Sequence, residues 1–143
     1  MLYKTDFNGI PLATSVPSEF YSAYVTAALW SSTYGENGEF QLDDGEHELS
    51  DEAKNKMLTD CANFFNYCEK TDDDNLDPLP EYDCPEYSNA EKSGHDFWLT
   101  RNGHGCGYWD RGLGEIGEAL SKAAKTFGNC DLYVGDDGLI YAE

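Results

Sequence analysis

Apolar residues recur at helical spacing in two stretches of the first half of the chain, then give way to a pattern suited to strands. Phe20, Tyr24, Ala27 and Ala28 recur three and four residues apart, with Tyr21, Val25 and Leu29 widening the apolar face. A helix is expected to begin around Pro17, because proline suits the first helical turn, and to end before Gly35 and Gly38. Residues 36–49 read as an acidic loop. Ser50 then reads as an N-cap, with Asp51 and Glu52 in a first turn where carboxylates favour the helix dipole. Ala53, Met57, Cys61, Phe64, Phe65 and Cys68 continue as one apolar stripe, which predicts a second helix over about 51–69.

Residues 70–92 lose all periodicity. The run Thr71-Asp72-Asp73-Asp74-Asn75-Leu76-Asp77-Pro78, with Pro80 and Pro85 after it, predicts a long acidic loop. Beyond it, His95-Asp96-Phe97-Trp98-Leu99-Thr100-Arg101 is rich in strand-favouring residues. Asn102-Gly103 reads as a hairpin turn, and Gly105 to Asp110 as the return strand. Leu113, Ile116, Leu120, Ala124 and Phe127 mark a third helix, stopped by Gly128. Leu132-Tyr133-Val134 and Leu139-Ile140-Tyr141, joined by Asp136-Asp137-Gly138, predict a second hairpin. The expectation is one α+β domain over 1–143: an antiparallel sheet of about four strands, from two hairpins, packed against about three helices.

Charge changes this picture. The 143 residues hold 28 Asp and Glu against 9 Lys and Arg, a formal net charge of −19. Eighteen of the carboxylates lie within residues 36–91, against Lys54, Lys56 and Lys70 alone, whereas residues 93–143 are close to ordinary. Such one-signed density disfavours the compact state by self-repulsion. The chain is nevertheless 14% aromatic, which separates it from disordered acidic tails and predicts an acidic globule. No apolar run approaches the ~20 residues of a bilayer span, and no signal-peptide pattern opens the chain, so a cytoplasmic protein is expected. Five cysteines without paired spacing are expected to be reduced thiols. The charge sets the chain against nucleic acid and anionic membranes and towards basic surfaces or cations.

The segment from His95 to Gly112, HDFWLTRNGHGCGYWDRG, resembles a motif of small acidic proteins encoded by many bacteriophages. The resemblance continues through the third helix to Asp131-Leu132-Tyr133-Val134-Gly135-Asp136-Asp137-Gly138, and Tyr24 to Ser32 is similar to that family's N-terminal helix. Together these cover just over a third of the chain, 53 of its 143 residues; the acidic stretch around 70–87 departs from the pattern. The resemblance implies a phage origin and a bacterial host cytoplasm, and it carries no catalytic residues.

Three kinds of site remain. Carboxylates held on ordered structure at a density like that of duplex DNA, which has one charge per roughly 1.7 Å of axis, fill the Lys/Arg groove of a DNA-binding protein. On that reading the chain is not an enzyme, uses no cofactor, and inhibits a basic host protein of the restriction, CRISPR, repair or nucleoid type through Asp51, Glu52, Asp60, Asp72, Asp73, Asp74, Asp77, Glu81, Asp83 and Glu86. Its rival is a small metal-dependent or His/Asp enzyme centred on His95, His104, Cys106 and Asp110. The predicted hairpin sets His95 near Asp110 and His104 at the turn, too far apart for one tetrahedral metal site. A calcium loop is excluded too, since Asp72, Asp74 and Leu76 break the required pattern. The third reading is an accessory phage protein whose acids only solubilise it. Phe97, Trp98, Tyr108 and Trp109 are read as core and surface packing, with Arg101 and Arg111 paired to Asp96 and Asp110. The sequence leaves the oligomeric state open, a dimer included.

Overall fold

The computed structural model describes residues 16–70, 76–82, 86–104 and 106–143, with the backbone alone at Glu69 and Lys70. The expected turns within residues 1–14, and Asp72, Asp73, Asp74, Asp83 and Cys84, lie outside the described residues. Four α-helices carry the architecture: α1 Ser18–Ser31, α2 Asp51–Lys70, α3 Asn89–Arg101 and α4 Glu115–Lys125. Between them run the short strands β1 (Thr33–Tyr34), β2 (Phe40–Gln41), β3 (Leu132–Val134) and β4 (Ile140–Ala142).

The predicted stripes bury as expected in α1 and α2. Phe20, Tyr24, Ala27 and Ala28 of α1, and Ala53, Met57, Cys61, Phe64, Phe65 and Cys68 of α2, are all in the core. Ser50 caps α2 by accepting the Ala53 amide at 3.0 Å. Aromatic rings make the centre. Phe64 stacks on Phe97 at 4.2 Å between centroids, and Phe20 meets Phe65, and Tyr24 meets Trp98, edge to face.

The hairpin expected over 95–110 is a helix followed by a loop. Three devices outweigh the strand propensity of Phe97, Trp98 and Thr100. Ser88 accepts the Glu91 amide at 3.1 Å while Glu91 reaches back to the Ser88 amide, so a capping box starts α3 inside the segment read as loop. At the other end Asn102-Gly103 stops a helix instead of turning a hairpin. The Gly103 amide bonds Thr100 O and the His104 amide bonds Leu99 O, with Gly103 at φ +69°, which is a Schellman closure. Finally, Gly94 lies where α3 crosses α1, and a Cβ there would strike the backbone carbonyl of Phe20. This is the most extensive contact between elements in the fold.

The chain returns through a 3₁₀ turn at Tyr108–Asp110. Buried Tyr108 donates to Ser93 O at 2.9 Å, and its amide bonds the Thr100 hydroxyl at 3.1 Å, locking the turn against α3. Helix α4 and the 132–142 hairpin form as predicted, the hairpin with Tyr133 opposite Tyr141.

The fold is α+β, with four helices rather than three. Its four strands form two separate two-stranded sheets, β1–β2 and β3–β4, in place of one four-stranded sheet. The hairpin at β1–β2 lies where a helix end and a loop were expected, with Asn37-Gly38 in its turn.

Arg101, expected to pair with a neighbouring acid, is buried and reaches across the molecule. Its guanidinium donates to Asp60 Oδ2 at 2.8 Å, Tyr24 Oη at 3.0 Å, Gly128 O at 2.9 Å and Phe127 O at 3.0 Å. One side chain thus joins α1 and α2 to the carbonyls just past α4. Arg111 does pair with Asp96, as expected.

Candidate functional site

The 36–52 segment is ordered by backbone contacts rather than left as a loop. The β1–β2 hairpin leads into a 3₁₀ turn at Leu42–Asp44, whose Leu42 is buried. Leu49 then forms a parallel bridge with Ile140 of β4. The Ser50 amide bonds Ile140 O, and the Ile140 amide bonds Glu48 O, both at 2.8 Å. His47 Nδ1 lies 2.8 Å from Gly138 O, and its ring stands edge-on to Tyr34.

These bonds join two acidic segments far apart in the chain. Glu36, Glu39, Asp43, Asp44, Glu46, Glu48, Asp51 and Glu52 are all exposed, with no Lys or Arg among residues 35–52. The β3–β4 hairpin adds exposed Asp131, Asp136, Asp137 and Glu143, and no Lys or Arg follows Lys125. Twelve carboxylates therefore stand on two base-free segments stitched together at Leu49 and Ile140.

Several of these acids are held in place. Tyr34 donates to Asp44 and Tyr141 to Asp137, each at 2.6 Å, and these bonds lower both carboxyls below their usual range. The same bonds push the Tyr34 and Tyr141 hydroxyls up to about 12. Asp44 also accepts the Glu46 amide at 3.0 Å, Asp137 the Leu139 amide at 3.0 Å, and Glu39 the Asn37 amide at 2.9 Å. Each loop carboxylate so bonded has a defined direction, which a freely rotating surface acid lacks.

The acids singled out from sequence divide. Asp51 and Glu52 are exposed in the first turn of α2 and belong to this shelf. Asp77, Glu81 and Glu86 are exposed on the separate connection between α2 and α3. Asp60 is taken up by Arg101 and by Lys56 at 3.2 Å, and so is engaged within the fold. The acids of 36–48 and of the C-terminal hairpin were missed as site residues. Their density in 36–48 was readable, but their union with the hairpin depends on a contact spanning about ninety residues.

The catalytic alternative loses its geometry with the hairpin. The carboxylate that acts on His95 is Asp96, its neighbour in α3, and not Asp110. Among the described residues no three His, Cys, Asp or Glu side chains gather as metal ligands. Cys106, the cysteine of that alternative, is half-buried; burial pushes the thiols of Cys61 and Cys130 up, which disfavours a thiolate at those two positions.

A second feature lies between α1 and α3: a cleft of about 600 Å³. Ser22 and Thr26 of α1 form one wall, and Lys92, His95 and Asp96 of α3 the other, with Arg111 and Tyr82 closing it. Asp96, whose side chain is 1% exposed, accepts three bonds from Arg111 at 2.8–3.1 Å and one from Tyr82 at 2.9 Å. Burial and this carboxylate push the Tyr82 hydroxyl far above its ordinary value.

No described helix is long and apolar enough to cross a membrane. Comparison with family models, curated proteins and solved structures gave no match.

Proposed function

We propose that this chain is a bacteriophage product, as its 95–112 segment suggests, that acts in the host cytoplasm by occupying the nucleic-acid-binding groove of a basic host protein in place of DNA. The observation that carries the reading is the acidic shelf: twelve exposed carboxylates on two base-free segments, joined by backbone hydrogen bonds at Leu49 and Ile140. A DNA-binding groove is built to meet negative charge at fixed positions. A shelf whose acids are oriented by Tyr34, Tyr141 and backbone amides meets it at lower entropic cost than a flexible acidic tail. Restriction, CRISPR, repair and nucleoid proteins present grooves of this kind.

Relative to the residues expected from sequence, the contact surface shifts. Asp51 and Glu52 remain in it, Glu36 to Glu48 and the C-terminal hairpin join it, and Asp60 leaves it. Asp77, Glu81 and Glu86 form a separate acidic edge.

The test is a pull-down from host lysate with the purified chain. The expected result is a basic DNA-binding protein, released by raised salt and displaced by duplex DNA. Changing Glu46, Glu48, Asp51 and Glu52 together to amides is expected to weaken capture at least tenfold while leaving the fold intact. Capture that is indifferent to salt, to competing duplex and to the four amides would refute the reading.

A further inference from the structure

We propose that the cleft between α1 and α3 binds a small ligand bearing an oxyanion, a carboxylate or a phosphate, through Lys92, His95 and Arg111. The cleft holds unmatched hydrogen-bonding capacity. The carboxylates at the cleft are already engaged: Asp96 by Arg111 and Tyr82, Glu91 by the Ser88 cap, and Glu19 by the Ser88 hydroxyl at 2.6 Å. The donors are not. Arg111 meets Asp96 through Nε and Nη2, and its Nη1 has no partner among the described residues. Neither ring nitrogen of His95 is hydrogen-bonded there, and Lys92 forms no ion pair there.

These donors are also held in position. Buried Asp96 fixes the Arg111 guanidinium, whose side chain is 33% exposed and reaches the cleft. The Lys92 ammonium sits over the rings of Tyr82 and Tyr87, 5.6 and 5.7 Å from their centroids. The His95 ring lies against Trp30, 6.1 Å between centroids. Burial holds His95 below its ordinary value, with Asp96 opposing the shift and Arg111 and Lys92 adding to it, so at neutral pH the neutral ring, with one N–H to donate, prevails. The volume, about 600 Å³, falls within the ~300–1,000 Å³ typical of small-molecule sites. It admits a ligand of amino-acid or mononucleotide size. The net charge of −19 opposes an arriving anion, but that field is screened beyond about 8 Å at physiological ionic strength. It slows encounter and leaves the local donors to decide affinity.

The test titrates the full chain with inorganic phosphate, adenosine monophosphate and benzoate, with adenosine as the uncharged control, at ionic strength matched by sodium chloride. Binding is read from Trp fluorescence and from the His95 ring resonances. Saturable binding of at least one oxyanion, with none of adenosine, is expected. Lys92→Gln and His95→Gln are each expected to weaken it at least fivefold. Both leave the Arg111–Asp96 pair intact, and thermal melts confirm that they fold. Binding of phosphate compounds alone, or of benzoate alone, identifies which oxyanion the site takes. Failure of all three oxyanions to saturate, or affinity unchanged in both variants, would overturn the proposal. Neither outcome bears on capture by the acidic shelf.

Discussion

The interior between the helices and the acidic shelf are held by different bonds. The interior depends on side chains: stacked Phe64 and Phe97, the tight crossing at Gly94, and one buried guanidinium serving three elements. The shelf depends on the backbone: the two amide bonds that make the Leu49–Ile140 bridge, and amides donated to Asp44, Asp137 and Glu39. An acid's worth to this molecule is thus set by what it faces. Asp60 faces Arg101 and belongs to the fold; Asp51, on the same helix, faces water and is available to a partner.

The largest effect is expected at Arg101. Arg101→Met leaves Asp60 at the interior edge with only Lys56 and removes the donors to Phe127 and Gly128. A loss of ~3–5 kcal/mol is expected, because stranding one partner of a buried pair is costly. Chemical denaturation measures it, and adding Asp60→Leu should return part of the loss. A loss below ~1 kcal/mol would place Arg101 among ordinary surface charges.

Next comes Gly94→Ala. On a free helix alanine is favoured over glycine by about 1 kcal/mol. Here the methyl meets the Phe20 carbonyl, so the sign reverses and a loss of ~3 kcal/mol is expected, at the upper end for overpacking. A stabilised variant would mean that α1 and α3 do not approach so closely.

The smallest effect belongs to the shelf. The Tyr34 and Tyr141 hydroxyls titrate high, so their bonds are whole below the ordinary tyrosine value of about 10 and are lost as pH rises through about 12. Asp44 and Asp137 titrate low, so the same bonds hold above the ordinary carboxyl range and fail as pH falls through the lowered values. Alkaline titration followed by tyrosinate absorbance should show Tyr34, Tyr141 and half-buried Tyr21 titrating at about 12, with buried Tyr24, Tyr82 and Tyr108 later still. Tyr34→Phe should remove one of the first three while barely moving the melting temperature at pH 7. A melt at pH 7 shifted as far as that of Gly94→Ala would erase the distinction between the regions.

Most helical elements were legible because their signals are periodic and long. The stripes of α1 and α2 bury where the spacing put them, as do Leu120 and Ala124 of α4, and the Asp137-Gly138 turn gives a true hairpin. The α3 segment reads as a strand because strand-favouring Phe97, Trp98 and Thr100 sit before Asn102-Gly103. Its capping box was present in the sequence as Ser88-Asn89-Ala90-Glu91, and that signal separates the two readings. The β1–β2 strands, two residues each, are too short to show a period. Of the site, Asp51 and Glu52 were legible from charge alone. The shelf as a surface was not, because no local pattern announces that Leu49 pairs with Ile140.

The caps also bear on how the molecule ages. Asparagine followed by glycine cyclises to a succinimide when the glycine nitrogen attacks the side-chain amide, and hydrolysis then leaves a carboxylate. At Asn102-Gly103 that nitrogen donates to Thr100 O, while the Asn102 amide is held from both ends, giving to Trp98 O at 3.0 Å and receiving from the Cys130 amide at 2.8 Å. The helix closure thereby protects the dipeptide from its own chemistry. Asn37-Gly38 sits exposed in the β1–β2 turn; its glycine nitrogen also donates, to Gly35 O at 3.2 Å, but the Asn37 side chain has no such anchors among the described residues. Of these two dipeptides, stored protein should convert at Asn37 first, and the change would add one more negative charge to the shelf while leaving the helices untouched.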